Sequence, residues 1–120
     1  MHKILIVDDD KDMCKIISTV LMQEGYKIFK AFDGEQAIKA INAKNYNLVI
    51  LDFRLPNMDG IEVLQKIRNM GLSISVIMIS AYGNDLVKSK AKKFGVSQFL
   101  DKPFDLSKLI KVVKNTISKN

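Results

Sequence analysis

Acidic side chains follow two of the apolar strands that the sequence predicts. Asp52 comes directly after residues 48–51, a continuous apolar run whose β-branched members suit a strand buried on both faces. Asp8, Asp9 and Asp10 follow a second such run, residues 4–7. A carboxylate that is buried without a partner costs several kcal/mol, so these acids should face a cation or water. The pattern predicts a site built from clustered carboxylates.

Two further strands end in a hydroxyl and an ammonium group. Ser80 and Ala81 follow residues 75–79, and Asp101, Lys102 and Pro103 follow residues 97–100. Taken one at a time, these side chains fit a helix cap, a strand-end hydrogen bond or a surface lysine. Because parallel strands bring their carboxyl ends to one edge of a sheet, where ligands bind, their joint placement favours a functional site.

The predicted constellation suits phosphoryl chemistry with a metal ion. Neighbouring carboxylates repel one another and need a cation. Oxygen ligands without histidine or cysteine select Mg²⁺ or Mn²⁺, and Ca²⁺ fits so small a site less well. A hydroxyl and the Lys102 ammonium beside such an ion could bind phosphoryl oxygens. Asp52 could then be the nucleophile, because carboxylates form acyl phosphates.

Strands and helices alternate five times along the chain. The predicted strands are residues 3–7, 27–32, 48–51, 75–79 and 97–100, and each is followed by an amphipathic segment of helical period. The first helix should bury Met13, Ile16, Ile17, Val20 and Leu21. Such alternation predicts an α/β fold, a doubly wound parallel sheet with helices on both faces.

The composition argues against membrane proteins and nucleic-acid-binding proteins. The 120 residues suit one domain, 1–120, and no run of 18 apolar residues predicts a membrane span. The single Cys14 fits a reducing, cytoplasmic setting. A net charge of +6 could mean an anionic partner or only a soluble surface, and no nucleic-acid motif accompanies it. We therefore expect neither nucleic-acid binding nor membrane association.

Four motifs carry a family resemblance over the whole chain. They are ILIVDD at residues 4–9, LDFRLPNMDG at 51–60, ISAYG at 79–83 and FLDKPF at 99–104. In combination and spacing they resemble the response regulator receiver domains of bacterial two-component signalling, the CheY-like superfamily. The resemblance implies a flavodoxin-like (βα)₅ fold with strand order 2-1-3-4-5. It also implies that the chain is a phosphoacceptor rather than an enzyme, although it promotes its own phosphorylation and dephosphorylation.

The resemblance assigns roles to the site residues. Asp52 would accept the phosphoryl group from the phosphohistidine of a sensor histidine kinase. Mg²⁺ would be held by Asp9, Asp52 and the backbone carbonyl of Arg54, with Asp8 acting mainly through water. Ser80, the backbone of Ala81 and Lys102 would contact the phosphoryl group, and the Lys102–Pro103 peptide would be cis.

A switch is implied at Ser80 and Phe99. Because Phe99 has no hydroxyl, its switching should depend on packing alone. The output should involve the segment 84–99 and the face formed by residues 88–94, the fifth strand and residues 105–117. The partner could be a histidine phosphotransferase in a relay or another output protein, and the chain could stand alone or belong to a longer regulator.

Three other interpretations compete with this one. Asp8-x-Asp10 after a strand resembles haloacid dehalogenase phosphatases, which would make the chain a Mg²⁺-dependent hydrolase with Asp8 as nucleophile. Asp8, Asp10 and Asp12 mimic a calcium-binding loop, but Met13 stands where glycine is needed. A flavin module is disfavoured because the acids would repel the cofactor's phosphate.

Residues around the mouth of the site should tune the reaction. Arg54 and Tyr82 should flank the path of attacking water and influence hydrolysis. The phosphodonor should dock on Lys11, Met13 and Cys14 at the start of the first helix, and on Pro103 and Phe104 after the fifth strand. Met13 and Phe104 would be the apolar anchors, unless both belong to the core.

Overall fold

A single parallel sheet carries the fold in the computed structural model, which describes residues 1–81 and 83–119. The strands are β1 (Lys3–Val7), β2 (Lys27–Ala31), β3 (Leu48–Asp52), β4 (Ser75–Ser80) and β5 (Gln98–Asp101). The helices are α1 (Lys11–Gln23), α2 (Gly34–Ala43), α3 (Gly60–Asn69), α4 (Asp85–Lys93) and α5 (Leu106–Ser118). The sheet order is β2-β1-β3-β4-β5, which confirms the predicted topology. Within the described residues every helix is too short or too polar to span a lipid bilayer.

The core has two layers because alternate strand residues point to opposite faces of the sheet. One layer joins the sheet to α1 and α5, and its strand residues are Ile4, Ile6, Leu48, Ile50, Ile77, Ile79 and Leu100. The other joins the sheet to α2, α3 and α4, and its strand residues are Leu5, Val7, Ala31, Val49, Leu51, Val76 and Met78. β1 and β3 are therefore apolar on both faces, as their continuous apolar runs predict.

Side-chain caps fix where α1 to α4 begin, whereas the Asp105 side chain at the start of α5 makes no cap hydrogen bond. The carboxylate of Asp10 accepts from the backbone N–H groups of Asp12 and Met13 at the start of α1. Asp33 and Asn84 cap α2 and α4, and Asp59 forms a reciprocal capping box with Glu62 at α3. The helix after β3 thus starts at Gly60, directly after its cap residue Asp59. The short links hold each helix start close to the carboxyl end of the preceding strand.

The buried face of α1 differs from the predicted stripe. Cys14, Ile17, Ser18 and Leu21 are buried, whereas Ile16 is 47% exposed. The apolar pattern of the sequence predicts a different face, because Cys14 and Ser18 are less hydrophobic than Ile16 but small enough to pack close to the sheet. The prediction that Cys14 contacts the phosphodonor is therefore wrong, because its side chain is buried. Ile16 faces solvent instead.

The strands β3, β4 and β5 each end one residue later than predicted, β3 at Asp52, whereas β2 ends one residue earlier, at Ala31. Ser80 is the last residue of β4 and Asp101 the last of β5, and these two residues are register partners. The Lys102 N–H donates to the Ser80 carbonyl oxygen over 2.8 Å. Ladder hydrogen bonds therefore hold Ser80 and Lys102 beside each other at the sheet's edge.

Candidate functional site

Three carboxylates meet at the carboxyl end of the sheet. Asp8 follows β1 and is 4% exposed, and Asp52 ends β3 and is 6% exposed. Asp9, which is exposed, brings a third carboxylate oxygen, so that one oxygen from each residue lies within 4.8 Å of the others. The predicted cluster is thus present, with two of its three acids almost fully enclosed.

Lys102 enters this cluster from the loop after β5. Its Nζ lies 3.3 Å from Oδ2 of Asp52 and 3.9 Å from Oδ2 of Asp8. The Lys102–Pro103 peptide is cis, as expected. One ammonium group therefore faces two buried carboxylates, and the exposed Asp9 adds a third carboxylate to the cluster, which leaves an excess of negative charge.

The pKa values of both buried carboxyl groups are raised. Burial raises the pKa of the Asp8 carboxyl from 3.8 to about 6, and the Asp52 charge adds to the increase. Burial also raises the pKa of Asp52, although the Lys102 ammonium opposes the change. The two carboxyl groups therefore ionise less readily together than either would alone in water, and a further cation beside them would relieve the cost.

Backbone contacts fix the acidic loop beneath this pair. The Asp10 N–H donates to Oδ1 of Asp8, and the Asp8 N–H donates to the carbonyl oxygen of Ala31. The thiol of Cys14 donates to the carbonyl oxygen of Asp8 over 3.3 Å. The carboxylate of Asp10 caps α1. Asp10 is therefore not part of the carboxylate cluster, although it is adjacent to that cluster in sequence.

The donor set fits a hard divalent cation. Three carboxylates within 4.8 Å offer oxygen ligands, and Lys102 pairs with two of them, Asp8 and Asp52. Oxygen donors of this kind suit Mg²⁺ or Mn²⁺. Arg54 lines the same pocket of about 420 Å³, and its backbone N–H is hydrogen-bonded to Asp52. The role of its carbonyl as a ligand remains a prediction.

The proposed switch residues lie at one edge of the site. Ser80 is completely buried, and Phe99, two residues before Asp101, is half-buried. A Cβ at Gly83 would stand 2.6 Å from Cε1 of Phe99 and 2.8 Å from Oδ1 of Asp101, so the backbone of Gly83 packs directly on the ring. Tyr82 lies outside the described residues.

Two contacts that the sequence analysis missed tie α4 to its neighbours. Lys88 forms an ion pair with Asp101, and the Arg68 guanidinium of α3 donates to the carbonyl oxygens of Phe94 and Gly95 after α4. Arg68 also donates to those of Leu72 and Ile74. A lysine and an arginine in amphipathic helices carry no sequence signal that distinguishes such roles from ordinary solvation.

An apolar groove adjoins the acidic pocket. It has a volume of about 420 Å³ and is lined by Met13, Ile16, Ala81, Lys102, Pro103, Phe104 and Leu106. Met13 and Phe104, the predicted anchors, are half-buried and pack on the α1–α5 core. Each therefore supports the core and faces the groove at once.

Comparisons with known proteins agree with this architecture. The sequence model of the response regulator receiver domain matches residues 4–114, and the chain belongs to that family. It is a phosphoacceptor signalling domain of two-component systems, and the family typically carries a phosphorylated aspartate and binds Mg²⁺. The matches do not favour the haloacid dehalogenase alternative.

The chain matches nearly the full length of one sequence relative and only part of others. Sporulation initiation phosphotransferase F of Bacillus subtilis is 37% identical over 94% of this chain and 91% of its own length. A CpxR homolog of Haemophilus influenzae, a transcriptional regulatory protein, is 36% identical over 95% of this chain and 49% of its own length. The chain spans about half the length, or less, of the transcriptional regulators among these relatives.

Solved structures agree over nearly the whole chain. The receiver domain of Francisella response regulator 1452 has a TM-score of 0.93 at 33% identity, covering 99% of this chain and 98% of that one. Response regulator TrrA of Thermotoga maritima, in complex with Mg²⁺ and BeF, has a TM-score of 0.86 at 33% identity, covering 97% and 99%.

Proposed function

We propose that Asp52 accepts a phosphoryl group from the phosphohistidine of a sensor histidine kinase. One observation carries this assignment: Asp52 ends the central strand β3, is 6% exposed, pairs with Lys102 and lies among the carboxylates of Asp8 and Asp9. A carboxylate oxygen of Asp52 forms the new bond to phosphorus while the bond from phosphorus to the histidine nitrogen breaks.

The surrounding residues bind the developing charge. Lys102 is placed to pair with a phosphoryl oxygen, since its ammonium already contacts Asp52. The Ser80 hydroxyl and the Ala81 N–H supply the remaining hydrogen bonds at the end of β4. A Mg²⁺ ion held by Asp9, Asp52 and the Arg54 carbonyl, with Asp8 acting mainly through water, would neutralise charge on the phosphoryl oxygens.

We infer a single domain that signals rather than turns over a substrate. Residues 1–120 form one receiver, which promotes its own phosphorylation and dephosphorylation. It passes the signal on by a conformational change at Ser80 and Phe99, or it transfers the group to a histidine phosphotransferase. We place this reaction in the cytoplasm, in keeping with a single, buried cysteine.

Intact mass tests the assignment. The protein is incubated with acetyl phosphate and Mg²⁺, and it should gain one phosphoryl group that is lost at alkaline pH. Asp52→Asn should gain none, and Asp9→Ala should lose most of its Mg²⁺ affinity, measured by titration calorimetry, and most of its phosphorylation. Phosphorylation that persists in Asp52→Asn and disappears in Asp8→Asn would instead support the hydrolase mechanism.

A further inference from the structure

The apolar groove is continuous with the acidic pocket. Among the described residues, Lys102 alone lines both of them. Its ammonium is directed at Asp52, which leaves the methylene stem to face the groove. A molecule whose phosphoryl group sits at Asp52 therefore has the start of the groove within reach of its leaving group.

The composition of the groove indicates what it can hold. Beyond Lys102, its described lining is entirely apolar, and two of its walls face solvent: Ile16 is 47% exposed and Leu106 is 36% exposed. A cation at one end and hydrocarbon elsewhere complement an anion with an apolar tail. The volume of about 420 Å³ is ample for a chain of a few carbon atoms.

We propose that this groove binds the apolar chain of small acyl phosphates, so that the receiver reacts faster with chains longer than acetyl. The inference rests on Asp52 being the phosphoacceptor. An oxygen of Asp52 bonds to phosphorus, the bond from phosphorus to the bridging oxygen breaks, and the fatty acid leaves as its carboxylate with the bonding pair. No oxidant, reductant or additional proton is required.

Butyryl phosphate and acetyl phosphate isolate the effect of the chain. Their leaving groups are nearly equally basic, so the two anhydrides have similar intrinsic reactivity. Each methylene group that leaves water on binding is worth about fourfold. With both extra methylenes in the groove, the second-order rate constant for Asp52 phosphorylation should be about fifteenfold higher with butyryl phosphate.

Intact mass against time, with Mg²⁺ present, measures this ratio. Ile16→Ala and Leu106→Ala should bring the ratio of the two rate constants towards one. Met22→Ala is the matched control, since Met22 is an exposed apolar residue at the other end of α1, and it should keep the wild-type ratio. A ratio near one in the wild type would overturn the proposal and leave the groove to a protein partner.

Binding without reaction provides a second measurement. In 2-oxopentylphosphonate a methylene replaces the bridging oxygen of butyryl phosphate, so phosphoryl transfer cannot occur. Its addition should shift the methyl signals of Ile16 and Leu106, and the shorter 2-oxopropylphosphonate should shift them less. Equal shifts with both compounds would contradict the proposal. If neither acyl phosphate modifies Asp52, the proposed function and this inference both fail.

Discussion

Lys88 and Asp101 join α4 to β5 through an ion pair with 3.2 Å between Nζ and Oδ2. The same ammonium lies 5.5 Å from the centre of the Phe99 ring. Asp101 is the neighbour of Lys102 in sequence and the register partner of Ser80. One lysine of α4 thus contacts the proposed switch residue and a neighbour of the phosphate-binding site.

Loss of this lysine should favour the phosphorylated conformation. If Phe99 moves towards Ser80, its ring leaves Lys88, so Lys88→Ala removes contacts of the unmodified state only. An exposed contact between an ammonium group and an aromatic ring is worth about 0.5–1 kcal/mol, so the apparent affinity for beryllofluoride with Mg²⁺ should rise by roughly two- to fivefold. Lys92→Ala, an exposed lysine of the same helix, is the control. An unchanged or lower affinity in Lys88→Ala would refute this role.

The buried Asp8 carboxyl should make the metal-free protein less stable as the pH rises. The pKa of Asp8 is 3.8 ordinarily and about 6 in the fold, so the folded protein binds more protons between these values. The free energy of unfolding therefore falls from pH 4 to pH 6, and the penalty stays complete above pH 6. Asp8→Asn should remove this decline and raise stability at pH 7.5 by about 1–3 kcal/mol.

Urea denaturation with EDTA, at pH 5 and at pH 7.5, measures the effect. Asp12→Asn replaces an exposed acid of the same segment and should retain the wild-type difference between the two pH values. The same decline in Asp8→Asn as in the wild type would assign it to other groups. Adding Mg²⁺ at pH 7.5 should stabilise the wild type, because the ion binds only the folded cluster.

Arg68 should anchor the carboxyl end of α4. Its guanidinium donates to four carbonyl oxygens, two in the loop before β4 and two in the loop after α4, at distances of 2.7 to 3.2 Å. Arg68→Ala should lower the free energy of unfolding by about 2 kcal/mol, and lysine should rescue little because it lacks the planar fork. Lys66→Ala, an exposed neighbour in α3, should change stability by less than about 0.5 kcal/mol.

The same variant tests where α4 moves. With its carboxyl end held by Arg68, the helix should respond to phosphorylation mainly at its start, near Asn84 and Lys88. Amide hydrogen exchange on adding beryllofluoride should therefore change more at residues 84–88 than at residues 91–95. In Arg68→Ala the two segments should change alike, and a uniform change in the wild type would argue against the anchor.

Met13 and Phe104 should matter for a protein donor more than for a small one. Both line the groove beside Lys102 and both are half-buried, so a helical donor that covers Asp52 would touch them. Met13→Ala and Phe104→Ala should slow transfer from a phosphorylated kinase about tenfold or more, with transfer from acetyl phosphate nearly unchanged. An equal loss with both donors, or a loss of folding by circular dichroism, would indicate a damaged core.

The sheet and the acidic cluster were predictable because their signals are local and strong. Continuous apolar runs such as residues 48–51 specify buried parallel strands, and an acid after such a run is placed by the topology alone. The predicted ends of four strands differ from the structure by one residue: β2 ends earlier, and β3, β4 and β5 end later. Hydrogen bonding to a neighbouring strand extends the last three, and sequence composition does not encode that pairing.

Contacts between distant segments were not predictable. Arg68 and Phe94 are 26 residues apart, and nothing in α3 distinguishes an arginine that binds carbonyl oxygens from one that faces water. The face of α1 was misassigned because hydrophobicity ranks Ile16 above Ser18, whereas packing against the sheet at Ser18 favours a small side chain. The groove beside the site follows from that same shift, since it leaves Ile16 outside the core.

Because Ser80 of β4 pairs with Asp101 of β5, a conformational change at the phosphate-binding edge has to cross only one strand spacing, about 4.8 Å, to reach the outermost strand. Both residues lie at the rim of the sheet, outside the two apolar layers. Stability and the response to phosphorylation can therefore depend on different residues. Substitutions in the two apolar layers should alter the stability of the folded protein. Substitutions at Ser80 and Asp101 should alter the conformational response to phosphorylation.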